Sequence, residues 1–163
     1  MTDFATRNHP GRDPGPYARK ALGAAFGLGI AFLPMFAHAD GWSEFHTRCL
    51  TALEALAPPV VAGLGQGEAA NGSLRYDLPD GGHLLVEKSP PDGLSACSVT
   101  DPTGASEAGF DTWIAEAIAS GRYIPAEADT WHSNQWIEPV LALQKHRDDG
   151  NLTLRIVETH LEA

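Results

Sequence analysis

The chain has 163 residues and a mass of 17.3 kDa, room for one domain. Eleven Lys and Arg stand against twenty-one Asp and Glu, a formal net charge of −10. That balance excludes a nucleic-acid binder, which needs clustered cations on phosphates, and a hydrophobic fraction of 43% excludes general disorder.

Residues 1–39 read as a secretory signal peptide. Arg19 and Lys20 supply positive charge, residues 21–37 are uncharged and rich in Ala, Leu, Gly and Phe, and Ala37-His38-Ala39 places small residues where a signal peptidase reads. Cleavage is expected after Ala39, which leaves a single domain over 40–163 outside the cytoplasm. The apolar run is at the short edge of the about 20 residues that span a bilayer. A membrane therefore enters only if this segment is kept as an anchor. No Cys follows the small-residue segment, and Arg19-Lys20 is not a twin-arginine pair, so the general secretory route is expected. Removing 1–39 takes away four basic and two acidic side chains and leaves a net charge of −12. Such a surface favours solubility, cationic partners or divalent cations.

Asp40 to Leu56 is predicted as a helix, because Trp42, Phe45, Cys49, Leu53 and Leu56 recur at spacings of three or four. Asp40 or Ser43 can cap it, and Pro58-Pro59 stop it. Val60 to Gly72 carries four glycines and reads as a loop. Ser73 to Leu78 alternates, with Leu74, Tyr76 and Leu78 on one side. Pro79-Asp80-Gly81-Gly82 is turn chemistry, so His83 to Lys88 returns as the second arm of a hairpin. Leu94 to Thr100 gives a third strand with Cys97 and Val99 inward.

Ser106 to Ser120 has the clearest helical pattern, through Phe110, Trp113, Ile114, Ala117 and Ile118. Ser106 suits the N-cap, and Gly121 suits a left-handed C-terminal position. Tyr123 to Asn134 reads as irregular. Gln135 to Lys145 and Leu152 to Glu158 form a closing hairpin around Arg147-Asp148-Asp149-Gly150-Asn151, where Asp-Gly is a favoured turn pair. Pro139 has no amide donor and belongs at a bulge or on an edge. The expected fold is α+β, in the order α-β-β-β-α-β-β. An antiparallel five-stranded sheet would carry two helices packed on one face. No repeat or low-complexity tract shows in the mature part.

Cys49 and Cys97 both fall in the mature part. An even pair in an oxidising compartment predicts one disulfide, here between the first helix and the third strand.

The element order resembles that of type III secretion chaperones and related two-layer α/β binding folds. The resemblance implies the fold and a binding surface, while the export signal separates this chain from their cytoplasmic role. Thr47-Arg48-Cys49-Leu50 and Trp136-Ile137-Glu138-Pro139-Val140 resemble small exported alphaproteobacterial proteins, a resemblance that implies no particular activity.

Trp131-His132-Ser133-Asn134-Gln135-Trp136 is the densest polar and aromatic cluster. Trp rings bury area while their edges still hydrogen-bond. Trp131, His132, Asn134 and Trp136 are thus the candidate ligand-binding residues, with core anchoring as the alternative role for the two Trp. No catalytic constellation appears: there is no G-x-S-x-G, no phosphate loop and no H-E-x-x-H. No metal-ligand set and no cofactor motif can be named from the sequence either. Asp148-Asp149-Gly150-Asn151 lacks the spacing of a calcium loop. Ser120-Gly121-Arg122-Tyr123 resembles a short element of periplasmic lysozyme inhibitors, which implies a cationic lysozyme as partner. The expected protein is a non-catalytic periplasmic or secreted binder of a protein partner or small ligand. The alternatives are a metal-assisted hydrolase built on His132 with distant carboxylates, and a lysozyme-inhibitor-like protein.

Overall fold

Asp40 opens the first helix: its Oδ1 accepts from the Ser43 amide at 2.8 Å. This is a computed structural model, and it describes residues 40–89, 94–135 and 139–160. Residues 1–39, read above as a signal peptide, and Trp136 lie outside those residues. Helix α1 runs through Gly41–Glu44, a π-helical middle Phe45–Leu50, and Thr51–Glu54. It buries Phe45, Cys49, Leu50 and Leu53 completely. It stops short of Leu56, which takes a left-handed φ of 53° and is 52% exposed. Arg48 pairs with Glu44 and donates to the carbonyls of Val60 and Ala62, at 3.1 and 3.0 Å. That clasp fixes the following segment against the helix.

Strands β1 (Glu68–Ala70), β2 (Ser73–Asp77), β3 (His83–Ser89) and β4 (Leu94–Asp101) follow as an antiparallel meander. Helix α2 covers Ser106–Ala119, and Gly121 takes the left-handed φ of 73° expected after it. Strands β5 (Tyr123–Glu127), β6 (Thr130–Ser133), β7 (Val140–Asp148) and β8 (Asn151–Thr159) complete the chain. The sheet has eight strands in the order β1-β2-β3-β4-β8-β7-β6-β5, all antiparallel. This corrects the expected five-stranded sheet.

The additional strands have physical reasons. β1 lies in the glycine-rich stretch that reads as a loop, and only its pairing with β2 makes it a strand. β5 and β6 fall in the stretch read as irregular. Pro125 and a register shift between Pro125 and Glu127 interrupt their alternation. Pro139 cannot donate to a ladder, and β7 is described from Val140; residues 136–138 of the strand expected from Gln135 lie outside the described residues. The β7–β8 turn closes at Asp149 and Gly150, both at positive φ (48° and 86°), as a hairpin of this hand requires.

The succession α-β-β-β-β thus occurs twice, and β4 and β8 join the two four-stranded halves. Both helices lie on one side. Their buried side chains pack with Leu84, Cys97, Val99, Leu143, Leu154 and Ile156 of the sheet in one core. β8 shows the alternation clearly, with Leu152, Leu154 and Ile156 buried between half-buried neighbours.

Two devices hold the helical layer. The Cys49–Cys97 disulfide ties α1 to β4, and both sulfur-bearing residues are fully buried. At the C-terminal end of β4, the buried Asp101 carboxylate accepts from the amides of Thr103 and Ser106, each at 2.8 Å, and from both hydroxyls. Burial pushes this carboxyl up, but the hydrogen bonds outweigh it and hold it at about 2. Gly41 packs on the same junction: a Cβ there would lie 2.5 Å from Ser106 Oγ.

Replacing both cysteines by alanine is expected to cost about 4 kcal/mol, the entropy of releasing a loop this long, read from urea denaturation. Asp101→Asn should cost about 2 kcal/mol in the same measurement, the worth of hydrogen bonds to a charged group. The folded Asp101 pKa lies below its unfolded value of 3.8. Its contribution is therefore complete above that value and lost as pH falls through about 2. The asparagine variant should lack that acid limb.

Candidate functional site

The β5–β6 hairpin carries the candidate residues. Asp129 forms its tip at a φ of 54°, and its carbonyl accepts from the Lys145 amide at 2.9 Å. Along β6, successive side chains alternate between the two faces of the sheet. Trp131 pairs with Leu143 and packs toward the helices, its ring 5.4 Å from that of Phe110. His132 pairs with Ala142 and lies on the opposite face, which no helix covers among the described residues. Neighbours in sequence, Trp131 and His132 are therefore separated by the thickness of the sheet. Asn134 is exposed past the strand, where its amide donates to the Arg122 carbonyl at 2.8 Å and its Nδ2 to the Gly121 carbonyl at 3.3 Å. It secures the loop after α2. The structure does not gather these three into one pocket.

A shallow cavity of about 400 Å³ opens on that same face over β5, β6, β7 and β8. Its apolar lining is Ala126, Ala142 and Val157. Its walls are polar, with Glu127, Thr130, His132 and Gln144. Gln144 is held in place because its Oε1 accepts from Arg155 at 3.0 Å, and Arg155 in turn pairs with Glu87 at 3.1 Å. Of the cavity residues, only His132 stands out in the sequence. The others belong to strands distant in the chain, and their alternation marks a solvated face without marking a site.

The helical side holds an aromatic junction. Trp42, His46 and Trp113 have ring centres 5.3 to 6.4 Å apart, and the Arg122 guanidinium lies 5.0 Å over Trp113. Gly109 makes room for this, since a Cβ there would lie 2.5 Å from Trp42. Tyr123 is buried beneath, donating to Glu54 Oε1 at 3.1 Å. Burial pushes its phenol up, and the Glu54 carboxylate adds to the shift. The Ser120-Gly121-Arg122-Tyr123 element is thus spent on internal contacts around the end of α2.

Among the described residues, no three His, Cys, Asp or Glu side chains come together as a metal set. Glu127 is the carboxylate that shares the cavity with His132. No protein-family model matches the chain, and no match is found among curated proteins or solved structures.

The geometry gives the two neighbours opposite roles. Trp131→Ala removes a ring from the core margin and should cost about 3 kcal/mol, toward the low end for truncated aromatics. His132→Ala should leave the denaturation midpoint within about 0.5 kcal/mol of the parent, as surface changes do.

Proposed function

We propose that the protein is exported, loses residues 1–39 and serves as a non-catalytic binder of a protein partner. It would grip that partner with the face of its sheet that lies away from the helices. The observation that carries this reading is the one-sided architecture. Among the described residues, the eight-stranded sheet carries helices on one side and none on the other, which offers a broad face to another molecule. Small side chains line the middle of that face: Ala96, Ser98 and Ala142. Arg155, Glu87 and Gln144 are tied to one another there. Such a surface is largely set before contact, so little side-chain entropy is lost on binding.

The export half of the reading rests on the signal sequence and on the buried disulfide, which suits an oxidising compartment. Asp40 supports it too. Cleavage after Ala39 leaves intact the residue that caps α1.

Photo-cross-linking in producing cells tests the proposal. A photoreactive residue at Gln144 or Thr153, on the open face, should give a discrete adduct in the cell envelope. The same residue at Thr112 or Ala115, on the exposed side of α2, should give none. The uncross-linked protein should have the mass of a chain starting at Asp40. Adducts from α2 alone would overturn the open-face reading, and an intact leader on soluble material would overturn the export reading.

A further inference from the structure

The register shift in β5 has a consequence for the cavity. Pro125 pairs with Trp131, on the helical side of the sheet. In an uninterrupted strand, residue 126 would then face outward and residue 127 inward. Instead the bulge brings Glu127 opposite Thr130, and both Ala126 and Glu127 line the outer cavity. Bulges of this kind re-aim a side chain and recur beside binding sites. Here the re-aimed group is a carboxylate.

That carboxylate is exposed and has no ion-pair partner among the described residues. By contrast, Arg48, Arg75, Arg122, Lys145, Arg147 and Arg155 each already lie within ion-pair distance of an acid. These six cations are committed, while Glu127 sits open in a chain of strongly negative charge. Around it the cavity offers further acceptors, the hydroxyls of Thr130 and Thr159. Beside them is the apolar lining of Ala126, Ala142 and Val157. Acceptors beside an apolar lining match one side-chain chemistry well: a methylene stem ending in a cation.

We propose that this cavity is the anchor site for a lysine or arginine side chain of the partner protein, with Glu127 as its counter-charge. The stem lies on Ala142 and Val157, and the cationic head donates to Glu127 and to the threonine hydroxyls. The proposal rests on the open-face reading above and specifies the chemistry of the partner: a basic protein surface.

The test is an NMR titration of the ¹⁵N-labelled protein, as recovered from producing cells, with three short alanine-based peptides. They differ at one central position, which is lysine, norleucine or glutamate. The lysine peptide should shift the Thr130, His132 and Gln144 resonances saturably, and the other two should not. Glu127→Gln should weaken the lysine peptide about tenfold, the worth of one charge-assisted hydrogen bond. Raised salt should weaken it too. Glu127 is exposed, so the variant is expected to keep the parent spectrum elsewhere. Equal shifts from lysine and norleucine peptides would overturn the proposal, as would an unchanged affinity in Glu127→Gln or lysine-induced shifts confined to other regions. Any of these, alongside open-face adducts in the cross-linking experiment, would remove the cationic anchor and leave the docking face standing.

Discussion

The pairing of β4 with β8 makes one molecule of two halves. Each half is a helix followed by a four-stranded meander, and this seam is where the meanders join into one sheet. From Ala96↔Val157 to Asp101↔Leu152 the register alternates strictly between the two faces. Val99, Leu154, Cys97 and Ile156 go to the helices, and Ser98, Arg155, Thr100 and Thr153 go to the open side. A slip of one residue at this seam would exchange the faces and bury Arg155 in place of Ile156. The disulfide and the Asp101 junction act on the same strand. Cys97 sits at the middle of β4 and Asp101 at its end, so the seam strand is fixed to α1 at one point and to the start of α2 at the other.

The covered and open faces obey different rules as a result. On the covered side, aromatic and aliphatic side chains from both helices fill the space, and its charged groups, such as Lys145, are drawn to acids on α2. Burial alone would lower the Lys145 pKa, yet Asp111 and Glu107 together raise it. On the open side, short side chains set the level of the surface and the longer ones are braced in pairs. The β5 bulge breaks this regularity at one place and turns a carboxylate outward beside His132.

The sequence discloses the elements whose pattern is local. Both helices, the β2–β3 hairpin, the inward direction of Cys97 and Val99, and the turn at Asp149-Gly150 all follow from spacing and turn chemistry within a few residues. The Cys49–Cys97 pair follows from cysteine arithmetic. The strand count does not. β1 is three residues in a glycine-rich stretch, and β5 carries a proline and a bulge, so neither has an alternation to read. These segments become strands because a partner strand satisfies their backbone groups, which is information held elsewhere in the chain. The candidate site divides in the same way. His132 stands out locally, but its cavity comes from β5, β7 and β8, and the twofold succession of elements leaves no visible trace as repeated residues.

The two outermost strands bear on how copies of the molecule behave toward each other. β1 is too short to template a neighbour, and Pro125 deletes one amide from the free edge of β5 where the bulge already bends it. Neither rim can be extended indefinitely by a second chain. A second copy adding a strand at either rim therefore meets an edge that is too short or is interrupted by proline.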